Sequence, residues 1–395
     1  MKKGLIRALS VLLTFCSLAS SGGVIANASK SPSEYIDNRC YAASYASAST
    51  ASVSTSDTES FCAFSPFTDN DGDENIKVGS RFWELFFGKD EPKQLIASGD
   101  IFGIKMKQKF PTIVEAPGIP TLKCGDCIIS VNHKSVSSAK EVKDAINSSE
   151  GASVTIVAMR GAEKITLELV PKLEGGEYRL GVTLKDITAG IGTITFIDPK
   201  TGAFGGLGHG ICDAENGSLI EMSTGNAMEV LLGGIHKGEI GCPGELSGIM
   251  TDKPIGEISK NTEVGVFGKL DQSNLSQYGS VYEVASKDEI KPGEATIIST
   301  LKNGKKAEYK IEICDIDKSS SGSKSFKIKV KDPALTAITG GIVRGMSGSP
   351  IIQNGKLIGA VTHVLVADPT SGYGIFIENM LNVTDNVNNN SQKAA

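Results

Sequence analysis

The sequence predicts a mostly β protein, in which a small α+β domain is followed by a larger domain built of strands. Short apolar runs separated by turn residues recur from about residue 78 to residue 381, which is the pattern of strands. One segment, residues 139–147, has the spacing of an amphipathic helix. Gly, Val, Ile and Thr are plentiful in the second half, and aromatic residues make up 6% of the chain. This composition favours β structure over a helical bundle.

The first 28 residues predict an export segment. A basic start precedes a short apolar stretch at 8–19 and a small-residue cleavage site at 26–28, which is the layout of a signal peptide. The apolar stretch is shorter than the ~20 residues that span a bilayer, so cleavage is favoured, with a retained signal anchor as the alternative. In either case we expect the rest of the chain to lie outside the cytoplasm.

Polar segments flank the predicted domains. Residues 29–77 are rich in Ser, Ala, Thr and Asp and predict a tether, because they offer little apolar surface to bury. Asp69, Asp71 and Asp73 alternate as in a calcium loop, but the bidentate Glu of such a loop is not at the right offset. We therefore interpret them as a solvated acidic turn. Residues 382–395 predict a polar, Asn-rich tail.

Charge and cysteine content exclude further functions. The formal net charge of -5 gives no basic surface for nucleic acid, so we expect no RNA or DNA partner. Cys124 and Cys127 form a CxxC that has no second ligand pair to complete a zinc site, and we expect neither a metal nor another cofactor. Spacing does not determine how the cysteines after the export segment pair; these are Cys40, Cys62, Cys124, Cys127, Cys212, Cys242 and Cys314.

Residues 78–172 predict the α+β domain. A turn and strands at 116–136 lead into the helix at 139–147, and two strands follow at 153–159 and 164–170. The turn motif and the order of these elements resemble a bacterial PDZ domain.

The PDZ resemblance implies a groove for a peptide. Gly103 and Ile104 would lie near its carboxylate-binding loop, and the helix around Val142 would form one of its sides. An extended peptide, from a target or from the chain's own tail, would bind there as an added strand. The alternative is a groove that only docks on the following domain.

Residues 345–350, GMSGSP, predict a nucleophile turn. Gly345 and Gly348 lack a Cβ, so the backbone around Ser347 is free to bring successive N–H groups to one point. The motif resembles the GDSGGP signature of chymotrypsin-like serine peptidases. By that resemblance Ser347 is the nucleophile, and the N–H groups of Gly345 and Ser347 form the oxyanion hole. An ordinary glycine-rich hairpin is the alternative.

Two histidines compete for the role of general base. His209 lies in GGLGHG, 138 residues before Ser347, and its glycine-rich flanks suit a buried, oriented imidazole. His236 lies in a Gly/Lys-rich stretch that predicts a surface hairpin, so we favour His209. A third histidine, His363, lies in an apolar strand and is interpreted as a core or substrate-lining residue.

Residues 173–381 predict the larger domain. Short strands between 240 and 330 indicate a pair of β-barrels or a sandwich. TGGIVRGMSGSPI, a hairpin at 353–356 and the strand IGAVTHV then follow in close succession. Together with GGLGH upstream, these motifs closely resemble the stage IV sporulation protein B serine peptidase family, and the resemblance extends from about residue 80 to residue 381.

The family resemblance implies a chymotrypsin-like double β-barrel with a catalytic triad. Ser347 would be the nucleophile, His209 the general base and Asp332 the acid that orients the histidine. Asp315 and Asp317 are alternatives for the acid, since Asp332 lies only 15 residues before Ser347.

The resemblance also implies a role in sporulation signalling. Such an endopeptidase cleaves itself and a regulator of an intramembrane protease, which leads to activation of a late mother-cell sigma factor. It acts at the membrane or in the space between the forespore and mother-cell membranes. Two other functions stay open: a non-catalytic scaffold that binds peptides, and a general extracytoplasmic quality-control protease. The predicted order, with the PDZ domain first, favours the signalling role over quality control.

Overall fold

The computed structural model describes residues 94–214 and 217–382. The predicted export segment and tether, with its acidic turn, lie outside the described residues. So do residues 78–93 of the predicted α+β domain and residues 383–395 of the tail.

The described part of the chain is mostly strand, and none of its helices is long and apolar enough to cross a membrane. The helices are α1 (Ala139–Asn147), α2 (Pro333–Thr339) and α3 (Ile377–Leu381), with 3-10 helices at Gln272–Tyr278 and Lys302–Gly304. The strands are β1 (Gln94–Ala97), β2 (Ile101–Glu115), β3 (Cys127–Val131), β4 (Lys134–Ser135), β5 (Val154–Arg160), β6 (Glu163–Leu169), β7 (Lys172–Glu174), β8 (Glu177–Arg179), β9 (Thr183–Ile197), β10 (Ala203–Gly206), β11 (Met222–His236), β12 (Glu245–Thr262), β13 (Gly265–Leu270), β14 (Ser280–Val284), β15 (Gly293–Thr300), β16 (Lys306–Ile316), β17 (Phe326–Val330), β18 (Pro350–Gln353), β19 (Lys356–Leu365) and β20 (Asp368–Phe376).

Six strands close into a first antiparallel barrel. β2 pairs with β9, β9 with β10, β10 with β13, β13 with β12, β12 with β11, and β11 returns to β2. Because side chains alternate between the two faces of a strand, every second residue points inward. Phe102, Ile104, Met106, Phe204 and Val266 are among the buried residues that fill this barrel.

Six other strands close into a second antiparallel barrel. β15 pairs with β16, β16 with β17, β17 with β20, β20 with β19, β19 with β18, and β18 returns to β15. Asn354 and Gly355, with φ values of 52° and 76°, form the tight turn between β18 and β19, as the hairpin signal in the sequence predicts. The core of this barrel includes Ile297, Phe326 and Phe376.

The two barrels pack on each other through a third apolar cluster. Phe196 and Phe267 of the first barrel belong to the same buried cluster as Leu357 and Ile375 of the second. β1 pairs with β9 and with β14, and β14 pairs with β19, so a short pair of strands also joins the barrels. The predicted fold class, mostly β with an α+β unit and a chymotrypsin-like double β-barrel, is confirmed.

The α+β unit is inserted into the first barrel instead of preceding it. β2 and β9 are each 15 residues long. Their pairing from Ile101↔Thr193 to Lys107↔Ile187 belongs to the barrel, and it resumes from Thr112↔Lys185 to Glu115↔Thr183 in the α+β unit. The predicted domain order and the predicted boundary between residues 172 and 173 are therefore corrected. Both strands run through the junction, so no linker-like composition marks it in the sequence.

The α+β unit contains the predicted helix with its predicted bounds. The Ser138 side chain caps α1 by accepting a hydrogen bond from the Glu141 N–H at 3.2 Å, which satisfies one of the free donors of the first turn. The Ala139 N–H donates to Asp186 of β9 at 2.9 Å. The end of β9 that lies in this unit therefore also holds the start of its helix.

The three predicted groove residues do not face a groove. Gly103 and Ile104 lie within β2 of the first barrel, where they pair with both β9 and β11, and Ile104 is fully buried. Val142 is fully buried in the core of the α+β unit. The prediction is corrected because the resemblance to a PDZ domain placed these residues at a groove, whereas the structure places them in the barrel wall and in the core.

Candidate active site

Ser347 lies in a tight turn directly before β18. Gly345 and Gly348 flank it with φ values of 91° and 98°, in the region that non-glycine residues rarely adopt. A Cβ on Gly348 would overlap the Thr193 carbonyl oxygen. Glycine is therefore required on steric as well as conformational grounds, and the turn keeps Ser347 at the surface of a cleft.

Two threonines of β9 hold the nucleophile turn from the opposite barrel. The Thr193 hydroxyl donates to the Gly345 carbonyl at 2.7 Å, and the Thr195 hydroxyl donates to the Gly348 carbonyl at 2.7 Å. The Thr193 N–H also donates to the Ser347 carbonyl at 3.0 Å. Both threonine side chains are fully buried. We did not predict these residues; the only signal was the alternation of polar residues in the strand GIGTITF.

The turn leaves two backbone donors available. Among the described hydrogen bonds, the N–H groups of Met346, Gly348 and Ser349 all donate to carbonyls within the protein, whereas those of Gly345 and Ser347 do not. These are the two groups expected to form the oxyanion hole. An N–H pair held by a fixed turn stabilises developing negative charge without reorganisation.

His209 follows β10 of the first barrel after two residues with positive φ, Leu207 and Gly208. Its Nδ1 lies 2.9 Å from the Gly210 carbonyl oxygen. A carbonyl only accepts hydrogen bonds, so Nδ1 carries the proton and Nε2 keeps the lone pair of a base. Asn261 fixes Ile211, two residues after His209. The Asn261 side chain accepts a hydrogen bond from the Ile211 N–H at 2.8 Å and donates one to the Ile211 carbonyl at 2.7 Å.

Burial favours the neutral form of His209 and His363. Removal from water lowers the pKa of His209, only partly offset by the hydrogen bond to Gly210. The ring of His363 lies 5.2 Å from that of His209, centroid to centroid. Burial, with smaller contributions from His209 and Lys324, lowers the pKa of His363 well below its usual value. A neutral His209 is the form that can accept a proton.

One cleft between the barrels contains both Ser347 and His209. Its lining comes from β9 and the segment after β10 on one side, and from residues 342–347 and β19 on the other. The Ser347 hydroxyl donates to the Thr362 carbonyl at 2.7 Å, and no described hydrogen bond joins it to His209. A rotation about χ1 of Ser347 is therefore needed to direct the hydroxyl towards the imidazole.

Asp332 is placed elsewhere, as the N-cap of α2. One carboxylate oxygen accepts hydrogen bonds from the backbone N–H groups of Ala334 and Leu335, at 2.8 and 3.2 Å. The other accepts from the backbone N–H of Lys310, at 3.1 Å. No described hydrogen bond or ion pair joins it to His209. In the described structure Asp332 therefore caps a helix and does not contact His209, and its role as the acid of the triad stays a prediction. The Asp-Pro sequence instead starts a helix, with proline at its first position.

The alternative acids are also engaged away from His209. Asp315 pairs with Lys327 at 3.0 Å on the exposed surface, and Asp317 accepts hydrogen bonds from Ser319. In the described structure the Gly210 carbonyl takes the place that a carboxylate has in a triad. It fixes the tautomer of His209 but supplies no full negative charge.

His236 lies on the surface and His363 beside the cleft, as the sequence predicts. His236 ends β11 with 72% of its side chain exposed and lies 3.2 Å from Glu245, outside the cleft lining. His363 lies on β19 next to the cleft.

We expect Asp332→Ala to affect stability more than catalysis. Loss of the cap should lower the free energy of unfolding by roughly 0.5–2 kcal/mol, because three N–H groups lose their acceptor. Peptide hydrolysis by the folded variant should stay within about threefold of wild type, since the carboxylate does not contact His209. Urea unfolding and kcat/KM measured well below the melting temperature separate the two effects. A loss of activity above a hundredfold in a folded protein would restore Asp332 to the catalytic machinery.

We expect Thr195→Val to loosen the nucleophile turn. The substitution keeps the shape of the side chain but removes the hydroxyl that donates to the Gly348 carbonyl, and a buried acceptor without its donor costs about 1–3 kcal/mol. Both the free energy of unfolding and kcat should fall. Thr166→Val, on the exposed face of β6, is the control and should change neither. Equal unfolding midpoints for the two variants would show that Thr195 does not stabilise the turn.

The chain matches a protein family over more than half of its length. The sequence model of the SpoIVB peptidase S55 family matches residues 176–381, out of 395 residues in the chain. The matched range includes His209 and Ser347. No curated protein is similar enough to count as a match.

Several solved structures are also similar, at low identity. The PDZ domain of the SdrC-like protein from Listeria monocytogenes is 22% identical, with 23% of this chain and 93% of that chain covered and a TM-score of 0.17. The active form of the Rv3671c protease from M. tuberculosis is 11% identical, with coverage of 80% and 90% and a TM-score of 0.29. The HtrA-type protease AlgW with tripeptide is 13% identical, with coverage of 49% and 55% and a TM-score of 0.30.

Proposed function

The chain belongs to the SpoIVB peptidase S55 family, and from this membership we propose that it is a signalling endopeptidase of spore formation. It is a serine endopeptidase, and its substrates are proteins or peptides. In the proposed role it cleaves itself and a regulator of an intramembrane protease, and so triggers activation of a late mother-cell sigma factor. It acts beyond the cytoplasmic membrane, either membrane-associated or in the space between forespore and mother-cell membranes. In this role the α+β unit binds a peptide of the target or of the chain itself, through a surface that does not include Gly103, Ile104 or Val142.

The observation that supports the catalytic assignment best is the shared cleft of His209 and Ser347. Each residue comes from a different barrel, and the segment that carries each is fixed by hydrogen bonds from a distant strand, from Thr193 to the nucleophile turn and from Asn261 to the segment after His209. Gly345 lines the same cleft, and the N–H groups of Gly345 and Ser347 make no described hydrogen bond. A nucleophile, a neutral base and an oxyanion hole are the groups that acyl transfer needs.

The proposed reaction is acyl transfer in two halves. The Ser347 hydroxyl rotates away from the Thr362 carbonyl and attacks the carbonyl carbon of the scissile bond, while His209 Nε2 takes the hydroxyl proton. The N–H groups of Gly345 and Ser347 bind the oxyanion. His209 then gives its proton to the leaving amine, which departs. In the second half His209 activates a water that hydrolyses the acyl-enzyme and regenerates the serine.

We expect peptide hydrolysis to persist into mildly acidic solution. His209 must be neutral to act as the base, and burial lowers its pKa. The acidic limb of kcat/KM should therefore have its midpoint below the ordinary histidine value of about 6.5. A pH profile of kcat/KM with a neutral peptide measures this limb. A midpoint at or above the ordinary value would contradict the assignment of a buried His209 as the base.

A spore-forming host that lacks its own copy of the gene tests the proposed role. The full-length wild type and Ser347→Ala are expressed in it, and a reporter under the late mother-cell sigma factor is measured. We expect the wild type to restore the reporter and the variant not to. Restoration by both would favour the scaffold function. Restoration by neither, with a wild type that hydrolyses peptides, would favour a general quality-control protease.

A further inference from the structure

Arg344 lies directly before the nucleophile turn, and hydrogen bonds fix its backbone. Its N–H donates to the Gly244 carbonyl at 2.8 Å, and its carbonyl accepts from the Leu246 N–H at 2.9 Å. The next residue, Gly345, is held by Thr193. With both of its peptide groups fixed in this way, Arg344 lines the same cleft as Ser347 and His209.

The guanidinium has no partner among the described residues. Its Nε is buried and makes no hydrogen bond, and no described ion pair includes Arg344. The nearest acidic residue along the adjoining strand is Glu245, whose backbone is bridged to that of Arg344, but its carboxylate lies 3.2 Å from His236 Nδ1. A partly buried cation that lacks both a counter-ion and a hydrogen-bond acceptor is unfavourable, and a ligand that supplies both is therefore bound more tightly.

The rest of the cleft also favours an anionic ligand. Half of its lining residues are apolar, Ile191, Leu207 and Val364 among them, and none of the described lining residues is Asp or Glu. Lys324 is half-buried, with its ammonium 5.5 Å from the centre of the Tyr373 ring, and its charge contributes to the lowered pKa of His363. Charge interactions are stronger where apolar walls exclude water, and no carboxylate among the described lining residues opposes an anionic group of the substrate.

We propose that Arg344 is a specificity-determining residue that binds a carboxylate of the substrate, so that the enzyme prefers peptides with Asp or Glu within two residues of the scissile bond. This inference rests on the proposed peptidase function and names the substrate class of the same cleft. A guanidinium presents paired N–H donors that match the two oxygens of a carboxylate. A glutamine at the same place in a substrate offers one acceptor oxygen and no charge.

A peptide library with mass spectrometry of the cleaved bonds tests the proposal. The full-length protein is incubated with a mixed library of natural peptides, and the residues around each cleaved bond are counted. We expect Asp and Glu to be enriched at one position within two residues of the bond. A cleaved peptide is then synthesised in a Glu and a Gln version, for which kcat/KM should differ by roughly tenfold to a hundredfold, the worth of a hydrogen bond to a charged group.

Substitutions at Arg344 complete the test. We expect R344Q to reduce the Glu-to-Gln ratio to about one, R344E to favour a Lys peptide over the Glu peptide, and R344K to keep part of the original preference. R179Q is the matched control, because Arg179 is exposed and paired with Glu177 on β8, and it should keep the full ratio. Thermal melts and fluorophosphonate labelling show whether each variant is folded.

The two proposals fail in different ways. A wild type that cleaves library peptides without acidic enrichment, or an R344Q variant that retains the Glu preference, overturns the role of Arg344 and leaves the peptidase intact. A wild type that cleaves nothing and is not labelled by a fluorophosphonate overturns the proposed catalytic site itself.

Discussion

Ser347→Ala is expected to lower kcat for peptide hydrolysis by roughly 10⁴- to 10⁶-fold, the range seen when a serine peptidase loses its nucleophile. The hydroxyl is the atom that forms the acyl-enzyme, and no other described side chain of the cleft offers a nucleophile with a neutral base beside it. Self-cleavage of the full-length protein should stop, and so should labelling by a fluorophosphonate. Stability should change little, because the hydroxyl makes a single hydrogen bond, to the Thr362 carbonyl.

The control for this variant is Ser349→Ala, the same chemical change two residues further on. Ser349 is fully buried and its hydroxyl lies 3.2 Å from that of Ser299, so the variant tests the turn without touching the reacting atom. It should remain labelled and keep most of its activity. Equal activity of wild type and Ser347→Ala would end the peptidase assignment for this residue.

His209→Ala is expected to cause a loss of similar size, again roughly 10⁴- to 10⁶-fold in kcat. Without Nε2 as a proton acceptor, the Ser347 hydroxyl is a poor nucleophile. The double variant Ser347→Ala/His209→Ala should be no slower than either single variant, because the two groups act as a unit. Single-turnover hydrolysis of a peptide measures all three on one scale.

His236→Ala serves as the matched control for the histidine. Its side chain is largely exposed and lies against Glu245, so hydrolysis should stay within about twofold of wild type. If His236→Ala loses activity and His209→Ala keeps it, the assignment of the base is reversed. Additive losses in the double variant would show that Ser347 and His209 act in separate steps.

The strongest sequence signals were those with a local physical cause. Gly345 and Gly348 in GMSGSP predict a turn because glycine readily adopts positive φ, and both have positive φ in the structure. The helix at 139–147 follows from its apolar spacing and from the cap at Ser138. The strand-end position of His209 follows from the glycines around it.

The features that sequence reasoning missed depend on contacts between distant segments. Thr193 and Thr195 look like ordinary strand residues, and their role appears only when β9 meets the turn more than 150 residues later. Asp332 matched the family position, but its three N–H partners are set by α2 and by Lys310 of β16. The inserted α+β unit was misplaced because β2 and β9 have the same strand pattern on both sides of the junction.

The continuity of β2 and β9 has a consequence for the kinetics of folding. Lys107 and Ile187 are register partners 80 residues apart, and closing a flexible loop of that length costs roughly 4 kcal/mol of chain entropy plus a constant. If the α+β unit folds first, its own pairing of Thr112 with Lys185 brings the two strand ends together, and only a few residues remain to be closed. The insert then acts as a folding nucleus for the first barrel. A substitution that destabilises the α+β unit would therefore slow the assembly of the catalytic cleft, although this unit contributes no residue to the described cleft lining.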